Sequence, residues 1–313
     1  MGKQDITLSE CIQRNDRYAD CFNAALGYEL IRADRLDNVE RIQEGSIQFA
    51  RAVLHYKKER DGIREYHNVN GVSCAIACIE NQEDIDYAQA VRHMIYDAYG
   101  YNRQLIDIRK SHEPLNMLYK RGFYPEDRLM PIVTVCLYYG SHEWDAPTHL
   151  KDLFDYSIIP EDEADIWQRY IQDYKVFVLD IRRMSEEQLE HMHTDMRLLF
   201  GLLQYSDDKI QLQEYVRRHR SEMTAVDDDI CQAYMNLSGT KELRRYWKAQ
   251  EGGSQDMCKA MDEWIQDSRD EGRAEGIVLS IHRIMMNLKL TADEALDVMG
   301  ITGEEREQYL RMI

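Results

Sequence analysis

Glu80 follows a nearly continuous apolar run, Val72 to Ile79, in the order Ile79-Glu80-Asn81-Gln82. Such a run predicts a strand covered on both faces, and a carboxylate at its end is costly to bury without a partner. Residues two apart on a strand share a face, so Glu80 and Gln82 project together. Asp61 opens the preceding polar and apolar alternation, Asp61 to His67, and approaches the same place if the two segments pair across Asn68-Val69-Asn70-Gly71. Two carboxylates and a neutral amide suit a hard cation such as Mg²⁺, which is commonly held by one or two carboxylates together with substrate phosphate. Such an ion polarises a phosphoryl group and lowers the pKa of an attacking water, with Gln82 orienting that water or a phosphate oxygen. The spacing equally fits a Glu80 that leaves the strand end for solvent and caps the next helix, because Asp followed by Glu-x-Gln is a loose pattern.

The elements that must position these residues follow from periodicity and capping. Leu8 to Leu26 reads as one amphipathic helix, with Thr7 and Glu10 in capping-box spacing. A charged connection then leads to the Asp61 hairpin. Ile85 to Tyr101 reads as a helix, Ile132 to Tyr139 as a second buried strand and Lys175 to Leu179 as a short third one. Ser185 and Gln188 form a capping box that opens a long helix to about Tyr205, and segments 208–221, 225–237 and 239–249 are also helical in pattern. Gly252-Gly253-Ser254 marks a flexible joint, followed by two short helices capped by Thr291 with Glu294 and by Thr302 with Glu305. The reading divides the chain into an α/β core over 8–160, a mostly helical continuation over 161–251 and a helical tail over 252–313.

Composition removes several classes. The chain has 313 residues and a net charge of −18, with 44% hydrophobic and 31% charged residues, which is ordinary for a globular protein and unlike disordered, collagenous or mucin-like chains. No run approaches the roughly 18 apolar residues of a membrane span. Met1 to Asp5 lacks the apolar stretch of a signal peptide, so a cytoplasmic address is expected. The seven cysteines include no C-x-x-C pair and read as reduced thiols. His191 and His193 point apart on a helix and read as surface residues rather than metal ligands.

The order of these features resembles a known family. Asp61, then Glu80-Asn81-Gln82 closing an apolar strand, then a helix with Arg92-His93-Met94-Ile95-Tyr96 is similar to the Rpn family of recombination-promoting nucleases and transposases, within the PD-(D/E)XK nuclease superfamily. Pro131 to Gly140 with Trp144 nearby resembles that family's Pro-led strand ending in Tyr-x-Gly. Tyr18 to Asn23 resembles its first helix, and Glu271 to Gly276 its C-terminus. Together the likeness spans roughly residues 8 to 280. It implies a sheet flanked by helices, Mg²⁺-dependent DNA cleavage with Mn²⁺ as a substitute, Asp61 and Glu80 as metal ligands, and Gln82 where many superfamily members carry Lys. Asp20, on the first helix, is a further candidate ligand; its alternative role is a solvated helix carboxylate. Gln offers dipoles where Lys offers charge, so slow turnover would be traced first to position 82.

DNA as partner must overcome the acidic net charge, since backbone binding rests on cations. Arg103, Arg109, Lys110, His112, Lys120 and Arg121 gather after the central helix, and Arg217-Arg218-His219-Arg220 and Lys241 to Lys248 form further basic clusters; each also fits a solvated face. Arg92 and Tyr96 share a helix face and are placed to grip a phosphate or steady Glu80, or else to pair with Glu83 or Asp84 and pack in the core. Apolar Ile281, Ile284, Met285 and Leu288 suit packing against a second copy or against the chain itself. The expected function is a metal-dependent DNA endonuclease that promotes recombination or DNA mobilisation. The alternative is a catalytically weak or inactive nuclease-fold protein that binds DNA or protein.

Overall fold

The computed structural model describes residues 3–38, 42–49, 52–59, 61–112, 123–224, 226–246 and 254–313. The chain forms two units, one of residues 1–207 with 227–240, the other of 208–226 with 241–313.

The first unit opens with two helices, α1 (Lys3–Cys11) and α2 (Asn15–Leu26), where periodicity predicts one. Arg14 is extended, at φ −71° and ψ 130°. The carbonyls exposed by the break need donors, and Arg64 supplies them. Its guanidinium donates to Ile12 O at 3.2 Å, Gln13 O at 3.0 Å and Asn15 Oδ1 at 3.1 Å while lying 4.6 Å over the Tyr18 ring. Thr7 sits inside α1 and accepts from Asn236 Nδ2, so the expected capping box at Thr7 and Glu10 does not form.

The strands of the first unit are β1 (Leu36–Asn38), β2 (Ile42–Phe49), β3 (Ala52–Glu59), β4 (Gly62–His67), β5 (Ser73–Gln82), β6 (Ile132–Tyr138) and β7 (Phe177–Asp180). β2 and β3 form a separate antiparallel pair in the segment expected to be a charged connection. Charged residues broke up the apolar signal there, although Ile47, Phe49, Val53, Leu54 and Tyr56 are strand formers. The remaining five strands make one mixed sheet in the order β1-β4-β5-β6-β7, antiparallel up to β5 and parallel beyond it. In the β4–β5 turn, Asn68 Oδ1 accepts from the amides of Asn70 and Val72, and Gly71 takes φ +74°.

β5 and β6 are central. Cys78, Ile79, Val135, Cys136 and Leu137 are all fully buried, as their unbroken apolar runs require. Helix α3 (Gln89–His112) covers the face that carries Cys78, Thr134 and Cys136, and extends beyond the expected end at Tyr101. Gly100 permits the close approach, because a Cβ there would collide with Ile132. Helix α2 lies on the opposite face, where the Tyr18 hydroxyl donates to Ala77 O at 2.8 Å.

A short helix α4 (Glu161–Tyr170) precedes β7. The capping box at Ser185 and Gln188 is present, but the long helix predicted after it is two, α5 (Glu186–Glu190) and α6 (Met196–Gln204).

The second unit contains α7 (Lys209–Arg218) and α8 (Arg220–Met223), followed in the first unit by α9 (Asp228–Ser238). The second unit resumes with α10 (Met257–Leu288), α11 (Ala292–Val298) and α12 (Glu304–Leu310). Asp208 caps α7, and Thr291 with Glu294 forms the expected capping box of α11. Thr302 does not cap α12, whose N-cap is Gly303. Ile281 packs with Ala295, Leu296 and Tyr309, so the apolar face of α10 is covered in part by its own chain. The predicted joint at 252–253 lies outside the described residues. All seven cysteines are free thiols, and among the described residues no helix is long and apolar enough to cross a membrane.

Candidate active site

Asp61 lies just ahead of β4 and Glu80 near the end of β5, the strand that pairs with it. Asp61 is 7% exposed and Glu80 3%. Asp61 Oδ2 accepts from the backbone N–H of Asn81 at 2.8 Å, which clips the carboxylate to the peptide just after Glu80. Its Oδ1 accepts from Ser9 Oγ at 3.3 Å, and Ser9 Oγ in turn accepts from Asn81 Nδ2 at 3.0 Å. Helix α1 thus fixes Asp61 from one side and the strand backbone fixes it from the other.

Glu80 faces α3. Across the parallel ladder it pairs with Cys136, while Gln82 pairs with Tyr138. The Cys136 thiol reports what surrounds that point. Burial pushes its pKa up, the charge of Glu80 adds to this, Arg92 opposes it, and Asp61 and Asp86 push it further.

The inward face of α3 is polar over its first turns. Gln89 Nε2 lies 2.8 Å from His93 Nε2 and donates to Cys136 Sγ at 3.8 Å, and both Gln89 and His93 are buried. Arg92 Nη1 donates to Asp86 Oδ2 at 2.6 Å and Nε to the Tyr96 hydroxyl at 3.4 Å. One turn on, buried Asp97 accepts from Thr134 Oγ1 at 2.6 Å and from the Tyr174 hydroxyl.

Gln82 is half-buried and its amide donates to Asp84 O at 2.6 Å. Beyond it, a cavity of about 380 Å³ opens at the ends of β5 and β6, lined in part by Glu83, Asp84, Tyr138, His142 and Arg182. Gly140 forms its rim, where a Cβ would collide with Glu83 O and the Tyr138 hydroxyl.

Residues 76–231 match the family model described as "Putative transposase, YhgA-like". Through that stretch the chain belongs to the YhgA-like transposase family. Glu80, Gln82, Arg92 and Tyr96 fall inside the family stretch, and Asp61 precedes it. No curated protein and no solved structure shows significant similarity to this transposase-family chain.

The donor set fits a hard cation in chemical type. Asp61 and Glu80 offer carboxylate oxygens, the ligand type that Mg²⁺ takes. Among the described residues no group of three or more His, Cys, Asp or Glu side chains is arranged to hold a metal, so water and substrate would complete any coordination shell.

The structure does not bring Asp20 to this pair. Helix α2 carries it on the opposite face of the sheet from α3. There its carboxylate accepts from the backbone of His193 at 3.0 Å, and from Thr194 N at 2.9 Å and Oγ1 at 2.6 Å. These bonds hold the non-helical turn between α5 and α6, which explains why one long helix does not form. Asp20→Ala is expected to lower stability by about 2 kcal/mol, by stranding those donors, with Mn²⁺ affinity unchanged. Thermal unfolding and calorimetry of the variant check both.

Of the basic residues, Arg109 and Lys110 are exposed on the last turn of α3, where cations complement the helix dipole, and Arg103 pairs with Asp107. His112 pairs with Asp127 at 3.2 Å. Lys120 and Arg121 lie outside the described residues. Ser9 and Asp86 are site residues that sequence reasoning missed. Asp86 had a signal, an acid placed just ahead of a helix N-terminus with Arg92 six positions on.

Proposed function

We propose that this chain is a metal-dependent endonuclease that hydrolyses phosphodiester bonds in DNA, on a core of PD-(D/E)XK type. The observation that carries the reading is that buried Asp61 is hydrogen-bonded to the peptide just after buried Glu80, which falls in the stretch that belongs to a transposase family. Asp61 and Glu80 would hold Mg²⁺, or Mn²⁺ in its place. The bound ion would supply charge neutralisation at the phosphate and a more acidic water.

The remaining steps belong to the chain. Ser9 and the Asn81 amide keep Asp61 oriented. Gln82 presents its amide beside the site, with its nitrogen directed to Asp84 O, so its oxygen is the atom that positions the attacking water. Exposed Arg109 and Lys110 would offer DNA a local basic surface despite the net charge of −18. A role in recombination or DNA mobilisation agrees with the family.

A second reading, a nuclease-fold protein that binds without cutting, is favoured by one observation. Gln82 carries no charge, and its amide is already engaged by Asp84. Calorimetric titration of Mn²⁺ into wild type, Asp61→Asn and Glu80→Gln separates the two. The nuclease reading expects one site per chain that both substitutions abolish; no carboxylate-dependent binding would leave the binding module.

A further inference from the structure

We infer that Arg92 is the fixed cation of this site and contacts the phosphate that is cut. The inference rests on the phosphodiesterase reading above and adds a residue to it. The chemistry requires positive charge where the phosphoryl oxygens gain negative charge, and Gln82 provides only a dipole.

Arg92 is built for that task in three respects. It is held from two sides, by Asp86 at 2.6 Å and by the Tyr96 hydroxyl at 3.4 Å, with its guanidinium 6.0 Å from the Tyr96 ring centre. Its side chain keeps 30% of its exposure, and Nη2 makes no hydrogen bond among the described residues. It also lies one turn along α3 from Gln89, whose amide donates to Cys136 Sγ at 3.8 Å, and Cys136 is the ladder partner of Glu80. Burial works against the guanidinium charge, but the bonds to Asp86 and Tyr96 outweigh it and keep Arg92 protonated. A guanidinium held at Nε and Nη1 keeps the two N–H groups of Nη2 for a phosphate oxygen, with little entropy left to lose on binding.

A charge in this position has two consequences of opposite sign. It attracts the phosphate and it repels a cation bound at Asp61 and Glu80. Arg92→Gln should therefore bind Mn²⁺ more tightly, by roughly threefold. The same variant should bind a short DNA duplex more weakly in Ca²⁺ and lose about 10²-fold in kcat with Mg²⁺. Arg92→Lys keeps the charge and should restore Mn²⁺ affinity to the wild-type value, with kcat within about tenfold of it. Calorimetry, fluorescence anisotropy and single-turnover cleavage read these three quantities.

A purely structural role predicts a different pattern, with Mn²⁺ affinity, DNA affinity and melting temperature all falling together in both variants; that outcome overturns the assignment. Equal cleavage by folded Arg92→Gln and wild type also overturns it and leaves the nuclease reading intact. A wild type that neither binds Mn²⁺ nor cleaves overturns both.

Discussion

Glu80→Gln is expected to abolish DNA cleavage, by about 10³-fold or more, while leaving the melting temperature of the metal-free protein unchanged or higher. A catalytic metal contributes several kcal/mol of transition-state stabilisation, and each 1.36 kcal/mol is a tenfold rate change. Glu80 is 3% exposed, and the carboxylate of buried Asp61 is hydrogen-bonded to the peptide just after it. Gln matches the shape of Glu80 and keeps a hydrogen-bonding head group, so the exchange removes the charge with the least change in packing. The stabilisation that Mn²⁺ gives the wild type by binding only the folded state should vanish in the variant. Thermal unfolding with and without Mn²⁺, alongside single-turnover cleavage, checks all three expectations. A variant that loses cleavage together with its fold would assign Glu80 a structural role instead.

The second large effect is on folding. Arg17 on α2 is completely buried and gathers the start of α6 and the start of α9. It donates to Asp195 at 2.8 and 2.6 Å, to Asp229 and to Asp227 at 3.2 Å, and Arg14 shares Asp227 at 2.8 Å. This ties residues 227–240 to the body of the first unit. Arg17→Met fills the space and strands the carboxylates. The expected loss is about 3 kcal/mol, at the low end for a broken buried pair, because Asp227 and Asp229 keep half their exposure to water. For a unit of this size that is a fall of roughly 6 to 12 °C in melting temperature.

The loss should depend on pH. Burial raises the pKa of Asp229, but the hydrogen bond and charge of Arg17 outweigh it and leave it below its ordinary value of 3.8. A carboxyl depressed in the folded state stabilises above its unfolded pKa, and that contribution disappears as pH falls through the folded value. Wild type and Arg17→Met should therefore differ most near neutrality and converge below pH 3.8. Denaturant titrations at pH 7 and in acid test this; a gap that persists in acid would contradict it.

The elements that frame the candidate site were largely legible, because their signals are local. Val72 to Ile79 and Ile132 to Tyr139 carry unbroken apolar runs, and these became the two central strands. Asn70-Gly71 announced the hairpin that brings Asp61 alongside Asn81. Where the reading departed from the structure, a distant residue or charge decided. The helix over 8–26 breaks because Arg64, far along the chain, caps the carbonyls of Ile12 and Gln13. The helix after Ser185 breaks because Asp20 holds the amides of His193 and Thr194. Neither pairing leaves a trace in local periodicity. The β2–β3 hairpin was hidden by its own charged residues. Within the site, Ser9 was invisible because nothing near it in sequence suggests a carboxylate partner, whereas Glu80 stood out as an acid at the end of an apolar strand.

The central claim is that Asp61 and Glu80 together make this chain a metal-dependent DNA endonuclease. Incubating supercoiled plasmid with wild type, Asp61→Asn and Glu80→Gln, each in Mg²⁺ and in EDTA, tests it most directly. Nicked and linear product from wild type in Mg²⁺ alone, with intact plasmid in EDTA and with both folded variants, is the predicted result. Intact plasmid with wild type in Mg²⁺ and in Mn²⁺, or cutting that survives both substitutions, would contradict it.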